Sequence, residues 1–393
     1  YDASIGFSNV LKRFELLNAD QFVMISNEKF VNSGVAPRAG VNPGGVNTDW
    51  QSEALIESAL VQNHNISFQG GGAKTTFYFS ANYSKQQGVV KSNRNQTFRV
   101  RMNLEHEINN FIKIGNNLTV SRQVDYDQNN GSNALSGSIA STLRLLPNVN
   151  PYNPLHSTGY NINFPNANSI PIGPNSASVD DNFTNVAFTI NTNKFSSDKY
   201  RIINNAFIEL SFTKKLKFRS QMSADWFNDY SFQGLDPRHG EGYSSNGVAY
   251  NANQNFLRYV WQNYFSYNLS LKKHSFYLTA GHEMQSQTNK FLSATGSSLS
   301  DFFFLKENLI SGSASTQVVG GSYSESGFES LFARMNYDYK NKYFFQASIR
   351  RDGQSSLAEG NKYGNFPGVS VGWRPSEENG WKNNSFLRKW FPE

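Results

Sequence analysis

The chain has 393 residues, a net charge of +6 and no cysteine, which excludes disulfides and thiolate metal sites. Hydrophobic residues make up 38%, aromatic residues 15% and charged residues 17%, less aliphatic core and less surface charge than the two or three soluble domains that this length would hold. Lys and Arg are scattered rather than gathered into a stripe, so nucleic acid is not an expected partner. There is no run of about 18 apolar residues, hence no transmembrane helix. The negative mean hydropathy leaves membrane strands open, because only half of each such strand must be apolar. No signal peptide begins at Tyr1 and there is no initiator Met, which is expected of a mature form or a fragment.

The residues instead alternate with a period of two. Phe98, Val100, Met102 and Leu104 interleave with Arg99, Arg101, Asn103 and Glu105. A strand sends successive side chains to opposite faces, so this stretch has one apolar and one polar surface. Phe218, Met222, Ala224 and Trp226 repeat the pattern, as do Tyr259, Trp261, Phe265 and Tyr267, and then Tyr343, Phe345, Ala347 and Ile349. About twelve strands are predicted, near 2–9, 62–71, 74–84, 97–106, 112–121, 199–212, 216–226, 255–271, 274–285, 327–340, 342–352 and 366–374. Short links at 70–74, 107–111, 213–216, 272–274 and 340–342 take turns with long ones at 10–61, 85–96, 122–198, 227–254, 286–326 and 353–365. The expected fold is all-β: a transmembrane antiparallel β-barrel, with short periplasmic turns and long extracellular loops. Tyr83, Trp226, Tyr337, Tyr339, Tyr343 and Trp373 are expected in interfacial girdles of aromatic side chains.

Within the first long link, Asn18 with Gln21 three residues on predicts the start of a helix. The third long link is rich in Asn, Pro, Ser and Gly. At that length it is expected to be a folded extracellular loop that touches ligand or partner.

Chemistry-bearing groups are sparse. No two of His64, His106, His156, His239, His274 and His282 stand at metal-ligand spacing, and no G-x-S-x-G elbow or P-loop is present. Gly70-Gly71-Gly72 is expected to be a turn. Asp180-Asp181 and Asp236-Pro237-Arg238-His239-Gly240-Glu241-Gly242 read as polar loop segments, the second as a turn shaped by Pro and Gly rather than an acid–base cluster or a cation site. Arg350 alternates with Ile349 and should face the lumen, in a structural ion pair or along the substrate path. Tyr152, Tyr160, Phe164, Tyr243 and Tyr250 are loop aromatics that either stack on sugar rings or pack the loops together. No catalytic residue, metal ligand or cofactor site is expected.

Several stretches stand out as motifs: Thr48-Asp49-Trp50-Gln51, Gln62-Asn63-His64-Asn65-Ile66-Ser67, Gly70-Gly71 with Thr75–Tyr83, and Lys113-Ile114-Gly115-Asn116-Asn117-Leu118. The densest is Ala333–Glu378, with Arg350-Arg351-Asp352-Gly353, Lys362-Tyr363-Gly364 and Phe366-Pro367-Gly368-Val369-Ser370-Val371-Gly372-Trp373-Arg374. Together they resemble the SusC/RagA family of TonB-dependent outer-membrane transporters of the Bacteroidetes. The resemblance implies a barrel of 22 strands around an N-terminal plug. It also implies a SusD-like surface lipoprotein as lid and import of oligosaccharides or peptides driven by the TonB–ExbB–ExbD complex. Residues 1–393 would be a partial barrel domain of about twelve strands, with plug and C-terminal strands missing. The alternatives are a TonB-dependent siderophore or vitamin receptor without a lipoprotein lid, and an outer-membrane barrel enzyme using His282 with Glu283 and Ser286. A soluble β-sandwich or adhesin is disfavoured by the alternation of short and long links.

Overall fold

The structure, a computed structural model, describes residues 1–41, 44–127, 137–179, 184–300, 305, 310 and 314–378. Among these residues twelve strands form a single sheet in which every neighbour in space is a neighbour in sequence. They are β1 Asp2–Ser8, β2 Ala59–Gly71, β3 Thr75–Gln87, β4 Arg94–Glu107, β5 Ile112–Tyr126 and β6 Lys194–Ser211, followed by β7 Leu216–Leu235, β8 Val248–Leu271, β9 His274–Leu299, β10 Ala314–Tyr339, β11 Tyr343–Gln354 and β12 Tyr363–Trp373. All eleven pairings are antiparallel. Among the described residues no helix is long and apolar enough to cross a membrane, so any crossing is made by strands.

The predicted alternation becomes two continuous faces. Cross-strand partners lie on the same side of a sheet. The register aligns Ala81, Val100, Val120, Ile202, Trp226 and Leu257 in one row. One face over, Asn103, Asn117, Asn205 and Ser223 form a polar row. The apolar row is exposed to the surroundings, with Val120 and Ile202 at 39% and 38%. A sheet that turns such a face outward needs lipid, not water, against it. At the short-turn end the rings of His274, Phe276, Tyr337, Tyr339 and Tyr343 lie against one another, stacked or tilted, as a girdle.

The strands differ from expectation in one respect: β8, β9 and β10 reach 24, 26 and 26 residues. The predicted long links 227–254 and 286–326 are therefore mostly strand, and 85–96 shrinks to the connection between Gln87 and Arg94. These upper segments, such as Gln285–Asn289, carry polar side chains on both faces. The apolar alternation that marks a membrane strand fades there, although the ladder continues.

Among the described residues the named α-helices lie in the long connections. α1, Ala19–Asn32, begins at Asn18 as predicted: the Gln21 N–H donates to Asn18 Oδ1 at 2.9 Å and the Asn18 N–H to Gln21 Oε1 at 3.1 Å. α2, Trp50–Ala54, is capped by Asp49, and α4, Val186–Thr192, by Asn185. α3 is Ser138–Thr142. The buried cores lie among these connections and the strand tips, not inside the wall. One gathers Trp50, Ala54, Leu145, Val149, Ile170, Val186 and Ile190; the other gathers Phe232, Ala249, Leu299, Leu305 and Ala314.

Candidate functional site

Three connections, β1–β2, β5–β6 and β7–β8, interlock into a cap at the extracellular end of the sheet. Trp50 on α2 is its anchor. The ring is 2% exposed among Leu145, Val149 and Ile190, and its indole N–H donates to the Leu146 carbonyl at 2.9 Å. Beside it the Thr48 N–H donates to the Pro147 carbonyl at 2.8 Å and Thr48 Oγ1 to the Val149 carbonyl at 2.8 Å. Asn175 joins the same two connections from the other side, accepting from the Gly40 N–H at 3.0 Å and from Asn148 Nδ2 at 2.8 Å. Gly40 has no room for a side chain: a Cβ there would stand 1.9 Å from the Pro174 carbonyl oxygen.

The β7–β8 connection is held by His239. Its ring is fully buried, edge-on to Phe188 at 5.7 Å, and Nε2 accepts the Asn185 N–H at 2.9 Å. Burial pushes its pKa down to about 4, which keeps the ring neutral. Nδ1 finds no partner among the described residues. Asp236 and Arg238 form a bidentate pair at 2.8 and 2.7 Å that raises the Arg238 pKa, and the guanidinium lies 5.4 Å over the Phe188 ring. The segment Asp236–Gly242 is thus a packed turn, as the sequence predicts. Asp180-Asp181 lies outside the described residues.

Of the aromatic candidates, Tyr152 and Tyr160 are brought together, with ring centroids 5.6 Å apart. Tyr160 meets Phe188 edge-on at 5.4 Å, and Tyr152 is 43% exposed. The Tyr152 hydroxyl donates to Glu53 Oε2 at 2.6 Å, and burial together with that carboxylate raises its pKa. Tyr243 donates to the Pro165 carbonyl at 3.0 Å, next to Phe164, whose own carbonyl is bonded to His156 Nε2. These residues join two loops. Tyr250 lies on β8.

Arg350 is set apart from all of these. It points to the lumen, as predicted, and pairs with Glu283 at 3.1 Å and Asp352 at 2.6 Å. Asp352 also accepts from Ser330 at 2.6 Å, and Glu283 from Gln262. Farther along the wall Asp225 holds Arg201 at 2.8 Å and Arg258 at 3.6 Å. The lumenal face is therefore a chain of cross-strand ion pairs rather than one recognition centre. His282 and Glu283, being consecutive on a strand, face opposite sides. His282 bonds Glu329 on the outer face at 2.8 Å, so the hydrolase set is not assembled. Among the described residues no group of three or more His, Asp or Glu side chains could hold a metal ion.

Sequence reasoning missed a cavity of about 570 Å³ between the β1–β2 and β5–β6 connections, lined by Arg13, Leu16, Leu17, Phe22, Asp49, Trp50, Arg144 and Leu146 among others. Its size suits a small ligand. Arg13 bridges to Asp49 at 3.3 Å on its wall. No local pattern joins residues so far apart in sequence, although the Thr48–Gln51 motif marked one side.

No family model matches the chain. Over 99% of its length it is 26% identical to TonB-dependent receptor P3 of Formosa agariphila, and over 98% it is 23% identical to TonB-dependent receptor SusC of Bacteroides thetaiotaomicron. It spans 37% and 38% of those two relatives. Among solved structures, the RagAB peptide transporter matches 94% of this chain at a TM-score of 0.71 and 19% identity, over 43% of its own chain. The RagAB peptide importer in its closed-closed state gives 0.73 at 19% identity, over 45% of that chain. The outward apolar face, the meander and these likenesses agree: the chain is SusC/RagA-like, and its twelve strands match part of the β-barrel of outer-membrane TonB-dependent transporters.

Proposed function

We propose that this chain forms part of the wall and extracellular cap of a TonB-dependent importer, and that the importer carries oligosaccharides through the outer membrane beneath a SusD-like lipoprotein lid. Residues 1–393 are one partial barrel domain in this reading. A sheet left open at β1 and β12 would expose unpaired backbone to lipid, so in this reading further strands complete it, and a plug and a TonB-contacting segment belong to the importer as the resemblance implies. Energy comes from the TonB–ExbB–ExbD complex. The supporting observation is a continuous wall, apolar outside and ion-paired inside, with a separately cored cap over one end. The exposed Tyr152 ring beside Tyr160 is suited to stacking on a sugar face. Peptide cargo is the second reading, favoured by the likeness to a structure described as a peptide transporter.

The first test is the intact mass of the polypeptide in the host's outer-membrane fraction. A mass on the order of twice the 44.2 kDa of this chain, or more, is expected for a full barrel with plug. A mass near 44.2 kDa would end the TonB-driven reading. Deleting the gene should then abolish growth on oligosaccharides. Loss on peptides alone would transfer the assignment to peptide import, and unchanged growth on both would remove transport. Co-purification of a lipoprotein with the full-length protein tests the lid.

A further inference from the structure

β10 is much longer than the strand beside it. Its 26 residues pair with β9 along the strand, with Ser315 alone outside the register, whereas β11 has 12 residues and its ladder with β10 begins only at Phe328 opposite Gln354. From Thr316 to Gly327, β10 therefore has one paired edge and one open edge, about 40 Å long at strand rise. The residues there are exposed, Val318 at 62% and Val319 at 73%. The parity of the open groups follows from the last contact with the β11 side. The Ser355 N–H donates to the Gly327 carbonyl at 2.9 Å, and the Gly327 N–H donates to Ser355 Oγ at 2.7 Å. Residues two apart point their backbone groups the same way, so Glu325, Tyr323, Gly321 and Val319 all offer N–H and C=O to the open side.

Natural sheets blunt such edges with Pro, Lys, a bulge or a covering segment. Thr316–Gly327 contains no Pro, Lys or Arg and a single charge, Glu325. Its register with β9 runs without a bulge, and no described segment covers it. We propose that this edge is a docking strand for an extended segment of a second, surface-located polypeptide, which adds antiparallel to β10 as the upward continuation of β11.

The chemistry selects that occupant. The open groups lie beyond Glu329 on β10, and an acyl chain has no donors or acceptors to pair with them, so lipid cannot satisfy this edge. A glycan lacks donors and acceptors repeating every second residue, about 7 Å apart, whereas a strand matches them. Passing cargo would leave the edge bare between cycles, and a resident partner keeps it covered. The lone Glu325 suits a segment that is neutral or basic at that point.

The test uses the full-length protein in its native outer membrane and, in parallel, purified alone in detergent. Amide exchange at Val319, Gly321 and Tyr323 should be at least tenfold slower in the membrane than in the purified chain. A photo-crosslinker at Tyr323 should capture one polypeptide, and Val319→Pro should abolish that adduct. This substitution removes an open-edge N–H and spares the β9 ladder. Retained strand structure in the variant is checked by its heat-modifiable gel mobility. Slow exchange in the purified chain would show that the protein covers its own edge, and fast exchange in both would show that nothing binds. An adduct of cargo-sized peptide would replace the resident partner with substrate. Any of these three results overturns the proposal.

Discussion

The wall and the cap bury opposite things. In the wall, Met102, Val120 and Ile202 lie outside while Asn103, Asn205 and Asp225 lie inside. In the cap, Trp50, Phe188 and Ile190 are buried in the ordinary way. Each half therefore uses a different solvent. Lipid holds the wall's apolar face, and water drives the cap's core together. A substitution harmless in one half should be costly in the other.

Trp50→Ala should have the largest effect. Removing a buried aromatic costs ~3–5 kcal/mol, and here it would loosen only the cap. Protease digestion of intact cells should cut at the loops, while the heat-modifiable mobility of the barrel stays unchanged. Cutting that required barrel melting would show that the two halves are one cooperative unit. Next, Val100→Arg places a charge on the lipid face and should destabilise the wall by ~2–4 kcal/mol near mid-membrane. Asn103→Arg, on the lumenal face of the same strand, should cost far less. Urea titration in liposomes measures both, and equal costs would contradict the facing.

The cap should also weaken in acid. His239 is held near 4, below the ordinary 6.5, so the unfolded cap takes up a proton first as pH falls. The stability it contributes is full above 6.5 and is lost toward 4, at most about 3 kcal/mol. Protease sensitivity should rise across that window and flatten in His239→Gln, which keeps an acceptor but does not titrate. Unchanged acid sensitivity in the variant would place the effect elsewhere. The smallest effect belongs to Arg350→Ala. Its pair with Glu283 and Asp352 is partly exposed, so about 1 kcal/mol is expected, with uptake unchanged. Lost uptake at normal stability would put Arg350 on the substrate path.

Sequence legibility follows the same division. Phe98–Glu105 shows its faces openly, because one side meets lipid and the other water. In the upper half of β9 a stretch such as Ser286–Asn289 is polar on both faces and carries no such mark although it is strand. In the cap, Asn18 with Gln21 announces α1 because capping is local. Nothing local announces that Trp50 would meet Leu146 or that Asn185 would meet His239. Those contacts depend on which strands bring the loops together, and the cavity they enclose was invisible for the same reason. Arg350 was readable as lumenal by parity, but its partners required the register.

The order of the strands also sets a timetable. Each hairpin of the wall forms from chain that is contiguous, so the sheet can zip strand by strand with little loop-closure cost. The cap has no such shortcut: the Ser176 N–H reaches the Arg38 carbonyl across 138 residues. It cannot close until β2 to β5 stand in register between its two halves. A strand slipped by two residues keeps its faces but moves its loop about 7 Å, which would pull Trp50 out of its seat. Closure of the cap thus acts as a proofreading step for the wall beneath it.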